Sequence, residues 1–124
     1  MPSLDQSRAE SAYRAIDELG ADALDLARKL PVMLQTNGLL ATWAFLLAKR
    51  GAHRRCLDQL LAHLRARQLV ADGSDEAMVV FQRWVGTRSG GELTGPELRR
   101  LTGEAIDFAV WLKRAAEAHG EGSP

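Results

Sequence analysis

Apolar residues recur at three- and four-residue intervals along almost the whole chain, and that spacing constrains the fold more than any motif does. Leu39, Leu40, Trp43, Leu46 and Leu47 form one series, Leu57, Leu60, Leu61 and Leu64 a second, and Ala105, Phe108, Ala109, Leu112 and Ala116 a third. Residues so spaced share one face of a helix, whereas a half-buried strand requires alternation. The composition is rich in Ala, Leu, Arg and Glu and poor in Ile, Thr and Tyr, and straight-chain residues lose less rotamer freedom in a helix. The expectation is an all-α fold, a compact single-domain bundle of about six helical segments over residues 1–124 with 119–124 a frayed tail. At 124 residues such a chain buries somewhat under ~70% of its unfolded surface, enough for a core without disulfide or metal staples.

Glycine, proline and short polar residues divide the series. Ser3 is a candidate N-cap for a first helix carrying Leu4, Ala9, Ala12, Tyr13, Ile16 and Leu19, which Gly20 ends. Asp22 can cap a second segment with Leu24, Ala27 and Leu30. Pro31 is expected to stop or kink it and then to open a short helix through Met33 and Leu34, because proline removes a donor and disfavours α geometry before it. Asn37-Gly38 marks a kink ahead of the Leu39 series. A helix from about His53 to Leu69 is amphipathic and basic. The loop Asp72 to Asp75 precedes a helix with Ala77, Met78, Phe81, Trp84 and Val85, capped by Ser74 or Asp75. Gly86 to Pro96 reads as the longest exposed loop, Glu97 to Leu101 as a helical turn, and Thr102 as the cap of the last helix. The expected core contains Ile16, Leu30, Leu39, Trp43, Leu47, Leu57, Leu61, Phe81, Phe108 and Leu112.

The formal net charge is zero, but the basic residues are segregated. Arg28, Lys29, Lys49, Arg50, Arg54, Arg55, Arg65 and Arg67 face a single acid, Asp58, between positions 28 and 67, so that stretch carries +7 and the remainder −7. A split of this size makes a positive face and polyanionic partners plausible, although solvated helix faces are often basic for no functional reason.

Chemistry-bearing constellations are sparse. His53, Cys56 and His63 project on roughly one side of a helix, but Cys56 and His63 lie ~10.5 Å apart along its axis at ~1.5 Å per residue, too far for one zinc. No metal and no cofactor is expected, and Cys56 reads as a small boundary hydrophobe. No Ser or Cys occupies a nucleophile elbow, and histidines without a supporting signature are more often surface residues than bases. Glu104 and Asp107 fit the dipole of the last helix better than a nuclease site. Gly90-Gly91 and Gly95 lack the Lys-Ser or Lys-Thr of a phosphate loop. Core packing accounts for Trp43 and Trp84 more simply than base stacking, and Trp111 lies on the margin of its face. No catalytic residue is expected. The lone cysteine, the start Met-Pro-Ser-Leu-Asp without an apolar leader, and an apolar stretch of only Gly38 to Ala48 lead to the expectation of a cytoplasmic protein with no membrane partner.

Three segments together resemble a known family. Leu30-Pro31 followed by Asn37-Gly38-Leu39 is similar to its Leu-Pro and Asn-Gly-Leu signature, and Ala44-Phe45-Leu46 with Lys49 to its Ala-Phe-Leu and lysine. Thr102-Gly103-Glu104-Ala105, then Trp111-Leu112-Lys113-Arg114 and Ala116-Glu117-Ala118, resembles its C-terminal signature. Arg8-Ala9-Glu10 with Ala12-Tyr13 is similar to its first helix. Leu98 and Ala115 depart from the pattern, where an aromatic and often a Phe are expected. The family is the small helical subunit, the fifth Cmr protein, of the type III-B CRISPR effector. The resemblance implies a noncatalytic subunit of an RNA-guided, RNA-targeting antiviral ribonucleoprotein, stacked in several copies along the guide-bearing backbone and lining the target RNA path. Its partners would be other Cmr subunits, further copies of itself, and the backbones of guide RNA and target RNA. The expected RNA contacts are Lys49, Arg50, Arg54, Arg55, Lys113 and Arg114. The rival reading is a self-contained helical protein-interaction module without nucleic-acid contact. A helix-turn-helix DNA binder fits less well, since no short turn leads into a helix with base-reading side chains.

Overall fold

The computed structural model describes residues 2–71 and 73–121, which contain five α-helices, a 3₁₀ turn and no strand. The helices are α1 (Leu4–Leu19), α2 (Leu24–Leu47), α3 (Ala52–Ala66), α4 (Ala77–Trp84) and α5 (Gly95–Glu121), with the 3₁₀ turn at Ala21–Ala23. The all-α expectation holds. Asp72 of the expected loop and residues 122–124 of the expected tail lie outside the described residues.

α1 begins where Ser3 and Gln6 close a capping box. The Ser3 hydroxyl accepts from the Gln6 amide at 3.1 Å and the Gln6 side chain accepts from the Ser3 amide at 2.6 Å. The chain then crosses from Gly20 through the 3₁₀ turn into α2. Pro31 does not stop α2, contrary to expectation. Proline in a helix interior costs about 3 kcal/mol, but Leu26, Ala27, Leu30 and Leu34 flank it in the core, and each buried leucine contributes ~1.5 to 3 kcal/mol. The true break is at Gly38, whose φ of 82° and ψ of 171° lie outside helical space. Thr42 donates its hydroxyl to the Met33 carbonyl at 3.1 Å, bridging the kink.

α3 ends by a left-handed cap. Gln68 has φ 60°, and the Leu69 amide donates to the Leu64 carbonyl at 3.0 Å. α4 starts after Glu76, which occupies the cap position without a side-chain hydrogen bond, so neither Ser74 nor Asp75 caps it. α5 is one uninterrupted helix rather than a turn followed by a helix. It starts at a capping box in which Thr94 and Glu97 exchange hydrogen bonds, with the Thr94 amide donating to the Glu97 carboxylate at 3.1 Å. Thr102 caps nothing: its hydroxyl donates to the Leu98 carbonyl at 2.7 Å, one turn back in the same helix.

α5 lies against α1, α2 and α3, and α4 packs on α2 and α3. Trp43, Phe108, Leu30, Leu34, Leu39, Leu57, Leu60 and Leu112 are fully buried between them. Trp43 pins α4 in place by donating its indole N–H to the Ala77 carbonyl at 3.0 Å and meeting Trp84 edge-on at 4.7 Å. Of the expected core, Leu47 and Phe81 are only half-buried at its edge. The stretch Ala21–Leu47 has the length and hydropathy of a membrane span, more than the segment from 38 to 48 suggests. Leu26, Leu30, Leu34, Leu39, Trp43 and Leu46 nevertheless face the core, although Val32 and Phe45 are exposed, and Gly38 interrupts it.

Candidate nucleic-acid interface

The connection from α2 to α3 gathers four of the six expected contacts. Gly51, with φ 67°, turns the chain, leaving Lys49 and Arg50 exposed in the connection, while Arg54 and Arg55 are half-buried in the first turn of α3. Lys49 places its ammonium 5.4 Å from the centre of the Phe45 ring, which meets the His53 ring edge-on at 5.7 Å. Phe45 is 43% exposed. Arg50 has no ion pair among the described residues.

The two α3 arginines are differently placed. Arg55 donates to both Asp22 carboxylate oxygens at 2.5 and 2.6 Å and to the Leu19 carbonyl at 3.2 Å. It ties α3 to the end of α1, and its hydrogen bonds hold the Asp22 carboxyl below its ordinary range. Arg54 lines a hollow of about 320 Å³ with Asp58, Arg65, Asp75 and Glu76. Burial raises the Asp58 carboxyl, and Glu76 adds to the rise while Arg54 opposes it. Arg54 thus sits among acids.

Lys113 and Arg114 are exposed on α5, and Arg114 lies 4.7 Å over the half-buried Trp111 ring. Among the described residues no hydrogen bond, ion pair or ring contact joins them to the α2–α3 connection. Four of the six expected cations, Lys49, Arg50, Lys113 and Arg114, therefore carry charge with no carboxylate partner among the described residues.

A second polar centre is buried where α1, α3 and α5 meet. Arg8 donates from Nε and Nη2 to the two Glu104 oxygens, both at 2.9 Å, and reaches Asp107 at 3.1 Å. His63 Nε2 lies 2.9 Å from Glu104 Oε2, and its ring stacks on Phe108 at 4.4 Å and 14°. Arg67 Nε approaches Glu104 Oε1 at 3.8 Å. Burial lowers the His63 pKa, with Glu104 pulling against it. For Glu104 burial acts upward, but hydrogen bonds from Arg8 and His63 prevail and leave the carboxyl lowered. The Cys56 thiol is pushed up to about 12 by burial, so it is no nucleophile near neutral pH. No three His, Cys, Asp or Glu side chains converge on a metal-sized site among the described residues.

The family model for CRISPR-associated protein (Cas_Cmr5) matches residues 4–119. The chain belongs to that family. Its fold is similar to the X-ray crystal structure of a CRISPR-associated Cmr5 family protein from Thermus thermophilus, with a TM-score of 0.73 at 26% identity over 94% of this chain and 97% of that one. Membership makes this a subunit of the CRISPR Cmr system that associates with other Cmr subunits.

Two features of this Cmr5-family chain escape the sequence reading. His63 is buried rather than a surface residue. Glu104 is not near a helix start, because α5 opens at Gly95; it is the inner anion of a three-helix cluster. Nothing local signals the cluster, whose partners lie 96 and 41 residues from Glu104. Phe45 was not singled out either, although it falls outside the Leu39, Trp43 and Leu46 face and one turn before Lys49.

Proposed function

We propose that this chain is the noncatalytic small subunit of a cytoplasmic type III-B CRISPR ribonucleoprotein, a single domain stacking in several copies along the guide-bearing backbone and holding the target RNA path by its phosphates. The family match across residues 4–119 carries the reading. The four carboxylate-free cations support it, because guide pairing supplies sequence and the protein need only hold phosphates with Lys and Arg. The exposed Phe45 beside Lys49 offers an aromatic face for an unstacked base. Copies stacked head to tail need a heterologous interface, and a chain with +7 in one stretch and −7 in the rest can neutralise its neighbour while leaving a positive stripe open.

Native mass spectrometry of the reconstituted complex tests the assembly part. More than one copy per complex is expected, and a complex complete with one copy contradicts stacking. The monodisperse chain is expected to leave single-stranded RNA intact with any divalent metal; nuclease activity that co-elutes with it through purification contradicts the noncatalytic reading. The rival, a protein-interaction module without nucleic-acid contact, draws on two observations. Val32 is 61% exposed, and a groove of about 540 Å³ lined by Met33, Ala41 and Phe45 runs along α2.

A further inference from the structure

The hollow where α1, α3 and α5 meet has a volume of about 270 Å³ and is lined by four arginines, Arg8, Arg67, Arg99 and Arg100, with Gly103, Glu104 and Asp107. Its carboxylates do not balance it. Asp107 and Asp5 pair only with Arg8, at 3.1 and 3.6 Å, and Glu104 already accepts two hydrogen bonds from Arg8 and one from His63. Arg67 is left 3.8 Å from Glu104, and its buried Nε has no hydrogen-bond partner. Arg99 and Arg100 are exposed and carry no ion pair among the described residues. They stand near the start of α5, where a cation gains nothing from the helix dipole.

Gly103 is an independent observation. It lies inside α5, where glycine weakens a helix relative to alanine, yet a Cβ there would meet nothing within 4 Å. No neighbour in the fold requires glycine. Its effect is to keep the helix surface bare at the wall of the hollow.

We infer that Arg67, Arg99 and Arg100 form a phosphodiester site for single-stranded RNA, with Gly103 leaving room for the strand and Arg8 and Glu104 acting as positioning residues beneath it. Guanidinium forks match phosphate oxygens bidentately, and three of them around one hollow fix a strand at a defined point. The site deepens the proposed function and rests on it, and it is separate from the cations of the α2–α3 connection.

The test is an NMR titration of the ¹⁵N-labelled full chain with a short oligouridylate, and separately with inorganic phosphate, following arginine Nε–Hε signals. The signals of Arg67, Arg99 and Arg100 are expected to move with oligouridylate at lower concentration than with inorganic phosphate. R99E/R100E is expected to weaken oligouridylate binding roughly tenfold at low salt and to flatten the salt slope by about 0.7 for each phosphate no longer neutralised, with the melting temperature unchanged. Gly103→Leu is expected to hold or raise the melting temperature while weakening binding; a lower melting temperature with binding intact would make the glycine a packing residue and overturn its assignment. Equal response to inorganic phosphate would make this a free-anion site and overturn the strand assignment. Loss of binding in K49E/R50E with none in R99E/R100E overturns this site and leaves the proposed function standing. No binding by the parent chain at millimolar oligouridylate contradicts both.

Discussion

Glu104 is the tenth residue of α5 and 7% exposed, so its charge is tolerable only because Arg8, itself 15% exposed, answers it with two hydrogen bonds. Removing one partner of a buried pair strands the other. Glu104→Ala is expected to cost about 3 kcal/mol in urea unfolding, and a loss below ~0.5 kcal/mol would mean that the cluster is ornamental. The same residues set the acid response. His63 titrates below its ordinary 6.5 because burial disfavours its cation, so between the two values the unfolded chain binds more protons and stability falls as pH drops. Glu104 titrates below its ordinary 4.5, so the stability it contributes is fully present above that value and is lost as pH falls through its folded value. Both slopes have the same sign. The melting temperature is expected to be level between about pH 7 and 8, to decline through about pH 6 and to fall more steeply below about pH 4.5, with a separate alkaline decline above about pH 9 because the buried Cys56 thiol ionises only when unfolded. His63→Phe should remove the first decline; a parent protein that gains stability between about pH 7 and 5 contradicts this assignment.

At the scale of elements, Gly38 and Phe108 make separable predictions. Gly38 has a φ and ψ reserved almost wholly for glycine, and a Cβ there meets nothing within 4 Å, so Gly38→Ala should cost about 1 to 3 kcal/mol through the backbone alone. Phe108 is fully buried and stacked on His63, and Phe108→Ala should cost ~3 to 5 kcal/mol. Urea unfolding reads both, and near-neutral values would refute the kink and the stack respectively. The helices and their inward faces were legible because leucine spacing and caps such as Ser3 act locally. Pro31 misleads because local propensity opposes a helix there, and only the burial of Leu26, Leu30 and Leu34 by distant elements reverses that preference. The start of α5 carried a readable Thr94 to Glu97 capping box, but Thr102 followed by Glu104 and Ala105 offered a competing cap. Tertiary packing of one long face let the helix run through it.

At the scale of the whole molecule, the segregated charge is real in sequence but only partly available in space. Arg55 belongs to Asp22 and Leu19, Arg54 lies among acids, Arg28 pairs with Asp25 at 3.0 Å, and Arg65 holds the Asp75 carbonyl at 2.6 Å. Sequence showed which residues are basic; apart from Asp25 and Asp58, which share a helix with Arg28 and Arg54, the groups that engage them come from other elements. Reversing Arg55 would therefore break an internal tie as well as any RNA contact, and Lys49 and Arg50 are the cleaner choice. The central claim is that such free cations hold the target RNA backbone without reading its bases. Filter binding of reconstituted complexes carrying Lys49→Glu and Arg50→Glu, over a salt series and with several target sequences, tests it most directly. If each subunit neutralises two or three phosphates, its share of the slope of log affinity against log salt is about −1.4 to −2.1 at ~0.7 per phosphate. The account predicts weaker binding for every target alike and a flatter slope. Unchanged affinity and slope would contradict it.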